Sequence, residues 1–386
     1  MTSDFRQRLA GRFREQERFA DGYSPLYAAL FDVVVDWLAA DNDSLADWLV
    51  EASRQREPLE VTLLLAAGIH REVLRGTAAA LAGYYSTAGG MRTVDTEFPA
   101  ALRATVAVHR ARLAGFIRQA NVQTNETGRG VAWLLPLVCL GWPAVHLLEL
   151  GASAGLNLVA ERRGYRLADD MNPARTLLTL GEGPAQFTIL APGAAGLPSP
   201  AASPAILSRT GGDMLPFHLR TAEDELTLAA FIWGDQPQRM ARLREGIAAL
   251  RDVAGSAAPV SLRPLRLPDE LPAFLVEAFP APAGAPVVIF NTTVSMYLPD
   301  KGDSMRGMID AWASAQSVPV LWLQWEPDRE GRRPPEREWL AWTADYWPND
   351  GRADPRRFRL GWVHPHGAAL QWAPDWGEFL RISMHN

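Results

Sequence analysis

The spacing of apolar residues changes near position 144, and this change constrains the fold more than any other feature of the sequence. Residues 1–143 carry apolar side chains at helical spacing, with a Ser24-Pro25 helix start and no alternating strand pattern. From residue 144 onward, short apolar runs alternate with helical patterns, which predicts a parallel sheet with helices on both faces. The predicted strands lie at 145–150, 205–208, 259–262, 286–291 and 318–326, and the predicted helices lie near 155–163, 222–251, 269–279, 302–315 and 335–346.

We therefore expect an α/β protein with a helical N-terminal domain, residues 1–143, and a doubly wound sheet domain, residues 144–386. Two further strand-like runs within 357–372 are joined by a Pro/Gly turn, which indicates a terminal hairpin and brings the expected sheet to seven strands. A stretch rich in Gly, Ala and Pro ends near residue 204, and we interpret about 165–204 as an irregular insertion in the sheet domain.

Composition excludes several classes of function. The net charge of −6 argues against a nucleic-acid or anionic-membrane binder, which needs a basic surface. A single cysteine, Cys139, excludes an intrachain disulfide, and a single lysine, Lys301, excludes a phosphate-binding Gly-Lys-Ser/Thr loop. The charged N-terminus lacks the apolar core of a signal peptide, and Pro136 interrupts the charge-free stretch 131–148, so we expect a cytoplasmic protein without a membrane span.

The strongest local signal is a small-residue turn between a strand and a helix, in the segment "AVHLLELGASAGLNLVAER". The predicted strand ends at Glu149, and Gly151, Ser153 and Gly155 lie in the turn that follows. Such a turn lets a ligand approach the backbone, and the N-terminus of the next helix favours an anion. The Gly-x-Gly-x-x-Gly spacing of dinucleotide sites is absent. The turn is therefore a candidate ligand site, although a purely structural tight turn gives the same pattern.

The same residues also satisfy Gly-x-Ser-x-Gly, the nucleophile turn of α/β-hydrolases. In that alternative Ser153 is the nucleophile, with Asp300 or Asp303 as the acid and His364 or His366 as the base. A nucleophile turn follows a strand that comes after several others, whereas here about 140 helical residues precede the first strand. Topology therefore favours a cofactor turn over a serine hydrolase.

The acid-x-Gly-x-Ser-x-Gly pattern resembles the first motif of class I S-adenosylmethionine-dependent methyltransferases, with Ser153 at the place of the commoner middle glycine. This resemblance implies a Rossmann-like sheet and a turn that holds the methionine part of the cofactor. The whole chain resembles a bacterial family known as domain of unknown function 2332. The matching segments are "SPLYAAL" at 24–30, "VQTNETGR" at 122–129, "LLELGASAGLNL" at 147–158, "SRTGGDMLP" at 208–216, "WGDQPQR" at 233–239 and "HPHG" at 364–367.

Polar residues outside the turn complete the candidate site. An acid after the second strand of such folds accepts hydrogen bonds from the ribose, and we favour Asp213 over Asp169 or Asp170. Asp213 lies far beyond the usual spacing of about 20 residues after the turn, so this assignment needs an insertion. Asn291 and Thr292 end a buried strand and face the same crevice. A polar segment before the first strand is expected to cover the ligand, or else to cap the next helix; it contains Gln123, Thr124, Asn125, Glu126 and Arg129.

These features favour an S-adenosylmethionine-binding protein that methylates an unidentified small molecule. The alternatives are a serine hydrolase based on Ser153 and a non-catalytic nucleotide-binding module. We expect no metal site, since the His364-Pro365-His366 segment has no acidic or cysteine partner at a matching local spacing and reads as a hairpin turn.

Overall fold

A computed structural model describes residues 2–123, 126–193, 197, 202–279, 284–336, 338–350 and 354–382. The chain forms two compact units, of which the first contains residues 1–124 and 219–241 and the second contains residues 125–218 and 242–386. These bounds differ from those of the predicted domains. The segment 125–143 groups with the sheet, and 219–241 groups with the N-terminal helices.

The regular elements described in the first unit are helices, as predicted for the N-terminal region. Ser24 accepts a hydrogen bond from the Tyr27 amide at 3.3 Å and precedes Pro25, so the second helix begins where the sequence indicates. Leu9, Phe13, Leu30 and Phe31 belong to the apolar core of this unit. Its helices are α1 (Thr2–Ala20), α2 (Pro25–Ala39), α3 (Ser44–Ala52), α4 (Pro58–Leu74), α5 (Ala79–Ala82), α6 (Phe98–Gln119) and α8 (Ala222–Ala230), and α9 (Pro237–Val253) crosses the boundary between the units.

The second unit is built on a large, mostly parallel sheet of eight strands in the order β11-β10-β9-β8-β7-β1-β5-β6. Its strands are β1 (Ala144–Leu150), β5 (Ala205–Asp213), β6 (Val260–Pro264), β7 (Val287–Thr292), β8 (Val320–Glu326), β9 (Leu340–Trp347), β10 (Arg356–Val363) and β11 (Leu370–Trp372). The first five of these are mutually parallel, whereas β9, β10 and β11 pair antiparallel in succession. The mixed α/β class is therefore confirmed.

Helices cover both faces of this sheet. The second unit contains α7 (Val131–Leu140), α10 (Leu271–Ala278), α11 (Asp303–Ser314) and α12 (Trp376–Phe379). Because successive strand residues point to opposite faces, Leu147 packs in one core cluster with α7, and Leu148 packs in another with α10 and α11. Apolar residues on both faces explain why the central strands read as continuous apolar runs.

The charge-free stretch from Val131 to Leu148 is divided between α7 and β1, with Gly141 in the left-handed region between them. The expectation of a buried helix followed by a buried strand is confirmed. Among the described residues, no helix is both long enough and apolar enough to cross a bilayer.

Three details of the predicted fold are wrong. The described residues form eleven strands rather than seven. β2 (Gly164–Asp169), β3 (Thr176–Leu180) and β4 (Ala185–Ala191) form a separate sheet inside the segment predicted to be an irregular insertion, and β9 is the fourth additional strand. The predicted helix at 335–346 is largely β9, whose burial on both faces removes the alternation that identifies a strand. The predicted α-helix near 155–163 is a 3₁₀ helix, Leu156–Arg162, interrupted at Val159.

Candidate functional site

The candidate site lies at the carboxyl edge of the large sheet, where strand order reverses. β1 pairs with β5 on one side and with β7 on the other. The strands after β1 are therefore added first on one side, as β5 and β6, and then on the opposite side, as β7 and β8. In open α/β sheets this switch point opens a crevice that takes the ligand. Glu149 lies opposite Gly211 of β5, and Leu150 lies opposite Asn291 of β7. The fold therefore brings the predicted residues of three strands to one edge.

The turn after β1 is held tightly by its neighbours. Gly151, Ser153 and Gly155 all have positive φ, at 77°, 47° and 72°. The Gly151 and Ala152 amides donate hydrogen bonds to the Gly212 carbonyl at 2.8 and 3.2 Å. A Cβ at Gly151 would overlap Val294 Cγ2, and one at Gly155 would lie 3.0 Å from Val260. These two glycines are therefore required by backbone conformation and packing, and their missing side chains leave no open space for a ligand.

Two adjacent glycines of β5, Gly211 and Gly212, also shape the site, although they were not among the predicted site residues. A Cβ at Gly211 would lie 2.6 Å from Leu262 and 2.7 Å from Ala152, so only glycine lets β5 approach the turn this closely. The two glycines are visible in the segment "SRTGGDMLP". Adjacent glycines in a strand indicate that another segment approaches closely, but they do not identify that segment.

Asp213 ends β5 and joins two loops of the site. Its Oδ2 accepts a hydrogen bond from the Ser153 amide at 2.8 Å, and its Oδ1 accepts one from the Leu215 amide at 2.9 Å. The alternative acid, Asp169, ends β2 in the small sheet, where it pairs with Arg175 at 3.3 Å. The small sheet accounts for the long spacing between the turn and Asp213, since β2, β3 and β4 lie between β1 and β5 in the chain.

Glu149 is a buried acid with one unsatisfied oxygen. Its Oε1 accepts a hydrogen bond from Asn157 Nδ2 at 3.4 Å, and its Oε2 has no hydrogen-bond partner among the described residues. Burial raises the pKa of Glu149 well above the ordinary value, and the nearby charge of Asp213 adds to the increase. The Asn157 hydrogen bond and the Arg129 charge oppose it. A carboxylate in this position is costly without a cationic or hydrogen-bonding partner.

The raised pKa makes the effect of Glu149 on stability dependent on pH. A group whose pKa is higher in the folded state contributes its stability below the unfolded-state value, and this contribution is lost as the pH rises through the folded-state value. We expect Glu149→Gln, which mimics the protonated acid, to become more stable than the wild type as the pH rises. The difference in the free energy of unfolding between the variant and the wild type should grow by about 1.4 kcal/mol per pH unit above about pH 4.3. It should stop growing once the pH passes the folded-state pKa.

Chemical denaturation of the ligand-free protein between pH 5 and pH 8 measures this difference. Glu277→Gln is the matched control, because Glu277 is 62% exposed and pairs with Arg263 at the surface, where a small effect is expected. A stability difference for Glu149→Gln that stays constant with pH would contradict the raised pKa.

Two residues of the polar segment before α7 belong to the second unit and are buried there. Arg129 Nη1 donates to Thr293 Oγ1 at 2.6 Å, and its Nε donates to the Pro365 carbonyl at 2.9 Å. Glu126 accepts from the Gly128 amide at 3.3 Å and pairs with His366 at 3.4 Å. The segment is thus anchored to the loop after β7 and to the turn between β10 and β11. Gln123 belongs to the first unit, and Thr124 and Asn125 lie outside the described residues.

The residues at the end of β7 form a network that positions the following loop. Asn291 Oδ1 accepts from the Trp322 indole at 2.7 Å, and Asn291 Nδ2 donates to Glu326 at 2.6 Å. Glu326 also accepts hydrogen bonds from the Val294 amide and from the amide and hydroxyl of Ser295. Asn291 is therefore committed to internal contacts, while Thr292 is buried beside it. Glu326, which ends β8, is the acid that organises this loop.

The residues of the hydrolase alternative are engaged in other local contacts. Asp300 accepts from the Gly302 and Ser304 amides at the start of α11, and Asp303 pairs with Arg329. His364 Nδ1 accepts from the His366 amide at 3.2 Å within the turn after β10, and His366 pairs with Glu126. These contacts give each proposed acid and base a local structural role. Within the described part of the chain, no group of three or more His, Cys, Asp or Glu side chains is arranged to hold a metal ion.

Comparison with known proteins identifies a family. A family model described as "Uncharacterized protein conserved in bacteria (DUF2332)" matches residues 10–372. No curated protein and no solved structure matches the chain. The match covers both compact units and every strand of the large sheet. The chain therefore belongs to the bacterial family of domain of unknown function 2332.

Proposed function

We propose that the protein binds S-adenosylmethionine at the carboxyl edge of the large sheet and methylates a small molecule. The observation that carries this proposal is the buried Glu149, whose Oε2 has no hydrogen-bond partner among the described residues. The ammonium group of the methionine part would supply the cation that this oxygen needs, and Arg129, whose charge acts on Glu149, would face the methionine carboxylate. A carboxyl group and a guanidinium whose charges interact suit the ammonium and the carboxylate of an α-amino acid.

The charge around the turn favours this ligand over a dinucleotide. A dinucleotide places its doubly charged pyrophosphate at the turn, where free backbone amides normally receive it. Here the Asp213 carboxylate would repel that charge, and the Ser153 amide already donates to it at 2.8 Å. The following 3₁₀ helix of 7 residues replaces the long helix whose N-terminus would attract an anion. S-adenosylmethionine carries a sulfonium and an ammonium and avoids this repulsion.

The strand order supports the position of the nucleoside. Counted within the large sheet, the parallel strands run third, second, first, fourth and fifth, which is the order of doubly wound nucleotide-binding sheets. Asp213 ends the second of these strands, the place from which an acid accepts hydrogen bonds from ribose hydroxyls. The next residues, Met214 and Leu215, are exposed and offer an apolar surface to the base.

Methyl transfer requires little acid–base chemistry from the protein. The bound cofactor supplies a methyl group already activated by a positively charged sulfur. Orientation of the two reactants can then contribute roughly 7–11 kcal/mol of the barrier reduction. Residues that orient and exclude water, rather than a catalytic triad, are what this reaction needs.

Calorimetric titration with S-adenosylhomocysteine, the demethylated product, tests the nucleoside site. We expect the product to bind the wild type and Asp213→Asn to weaken binding about tenfold or more, since hydrogen bonds to a charged acceptor contribute about 1.5–3 kcal/mol. Asp169→Asn is the control, because Asp169 lies in the small sheet. Equal binding to wild type and Asp213→Asn, or a loss only in Asp169→Asn, would contradict the assignment. Tighter binding of NAD than of the nucleoside would contradict the choice of cofactor.

A further inference from the structure

Asn157, which follows the turn after β1, brings a second unsatisfied oxygen to Glu149. Its Nδ2 donates to Glu149 Oε1 at 3.4 Å, whereas its Oδ1 is buried and has no hydrogen-bond partner among the described residues. Glu149 Oε2 is in the same condition. In each side chain the unsatisfied oxygen shares a carbon with the atom that makes this hydrogen bond, so both oxygens belong to one small polar cluster. Buried polar atoms without a partner are rare in folded proteins, and a pair of them indicates a missing group.

Contacts with α7 and with Glu149 fix the position of Asn157. The buried Trp133 indole of α7 donates to the Asn157 carbonyl at 2.8 Å. A Cβ at Gly130, the residue before α7, would lie 3.2 Å from the same carbonyl and 2.6 Å from Ala160 Cβ, so the two segments are in direct contact. The hydrogen bond to Glu149 orients the side-chain amide, because an ionised carboxylate accepts from Nδ2 and not from Oδ1. A side chain held in this way loses little freedom when a ligand binds.

The two oxygens restrict the chemistry of the missing group. Both accept hydrogen bonds when Glu149 is ionised, so the group must donate at least two hydrogens or carry positive charge. Calcium or magnesium takes about six or more oxygen ligands, and the described residues contain no group of three or more His, Cys, Asp or Glu side chains arranged for a metal ion. A primary ammonium has both the charge and three hydrogens. The only lysine, Lys301, is exposed and is not a partner of either oxygen, so the ammonium must come from a ligand.

The charges around Glu149 are compatible with an ammonium group. Burial and the Asp213 charge raise the pKa of Glu149, whereas the Asn157 hydrogen bond and the Arg129 charge oppose the increase. The ligand-free protein therefore keeps a proton on this carboxyl group over a wider pH range than usual. An ammonium group at Oε2 would replace that proton, because it supplies both a hydrogen and a positive charge to the same oxygen.

We propose that Asn157 and Glu149 together bind a primary ammonium group, and that Asn157 makes the site selective for ligands that carry one. This inference rests on the proposed function, because the ammonium it places is that of the methionine part. It adds a specificity-determining residue that lies outside the acid-x-Gly-x-Ser-x-Gly pattern. A quaternary ammonium has no hydrogen to donate, and an acylated amine has lost its charge, so neither satisfies both oxygens.

Two nucleosides that differ only by an amino group test this selectivity. Decarboxylated S-adenosylhomocysteine carries the ammonium group, and its deaminated analogue, propylthioadenosine, lacks it. We expect calorimetry to show that the amine binds the wild type at least tenfold more tightly, because hydrogen bonds from a charged donor are the stronger ones. Asn157→Leu, which keeps the volume but loses the oxygen, and Asn157→Ala should each reduce this preference at least fivefold. Asn172→Leu, a change at an exposed asparagine in the small-sheet segment, should leave the preference unchanged.

The preference is a ratio of two affinities measured on one protein, so it does not depend on the fraction of a variant that is folded. A structural role of Asn157 alone would weaken the binding of both nucleosides equally and leave the ratio as it is in the wild type.

The outcomes separate this inference from the proposed function. Equal binding of the two nucleosides to the wild type, or an unchanged preference in Asn157→Leu and Asn157→Ala, would overturn the ammonium pair while the nucleoside site stands. A water molecule that bridges the two oxygens would give this result. If neither nucleoside binds, the proposed function is wrong, and saturation-transfer NMR with methylthiopropylamine tests the pair alone. Binding that Asn157→Leu abolishes would then support the pair, whereas no binding, or binding that Asn157→Leu leaves unchanged, would overturn it.

Discussion

Gly151→Ala is expected to lower the free energy of unfolding of the sheet unit by about 2–5 kcal/mol, from two separate causes. Gly151 has a φ of 77°, and an L-residue in the left-handed region is less stable by about 1–2 kcal/mol. The new Cβ would also overlap Val294 Cγ2, and overpacking of this kind costs about 1–3 kcal/mol. The backbone of Val294 cannot move aside freely, because its amide is hydrogen-bonded to Glu326 at 2.8 Å.

A double-mutant cycle separates the two causes. Gly331→Ala is the matched control, since Gly331 has a φ of 71° and a Cβ there would meet nothing within 4 Å. It should show only the backbone cost of about 1–2 kcal/mol. Combining Gly151→Ala with Val294→Ala should restore the free energy of unfolding that is lost to the overlap. It should not restore the part that is lost to the left-handed backbone conformation. Urea denaturation measures the four proteins of the cycle and the Gly331→Ala control, and additive effects at Gly151 and Val294 would contradict the proposed overlap.

Glu326→Ala is expected to destabilise the sheet unit by about 2–4 kcal/mol, because it leaves several buried donors without an acceptor. Asn291 Nδ2, the Val294 and Ser295 amides and the Ser295 hydroxyl all donate to this carboxylate. Glu326→Gln keeps the volume but replaces one acceptor oxygen by a donor, so it should have a smaller effect in the same direction. Burial raises the pKa of Glu326, and these hydrogen bonds counteract the increase.

The matched control for this prediction is Glu378→Ala. Glu378 is 58% exposed and lies 3.9 Å from Arg356, a surface pair whose loss should change stability by less than about 1 kcal/mol. Amide hydrogen exchange gives an independent measure, since loss of Glu326 should release the Val294 and Ser295 amides specifically. Unchanged protection of these amides in Glu326→Ala would show that other contacts hold the loop.

Local patterns in the sequence determined the class of the fold and the identity of most elements. The Ser24-Pro25 helix start, the change of apolar spacing near 144 and the five apolar runs of the parallel strands all depend on neighbours within a few residues, which a sequence displays directly. The turn at Gly151 to Gly155 was also visible, because positive φ at three nearby positions favours small residues.

The strand β9 shows where local patterns fail. Its residues Leu340–Trp347 are buried on both faces, with the exception of the half-buried Thr343, so polarity does not alternate along it. Pairing with β8 and β10, which the sequence does not display, selected a strand over the predicted helix. The three strands of the small sheet were not predicted for the same reason. β2 pairs with β4 in the sheet, although β3 lies between them in the chain.

The chemistry of the candidate site depended still more on tertiary structure. Glu149, Asp213 and Arg129 were identifiable as polar residues beside strands, but their separation along the chain hid which of them meet. Only the fold places Asp213 on the neighbour of β1, puts Asp169 in another sheet and leaves Glu149 buried with an oxygen that no described residue satisfies. Burial and long-range pairing set these electrostatic properties, and both arise from packing between segments that are distant in sequence.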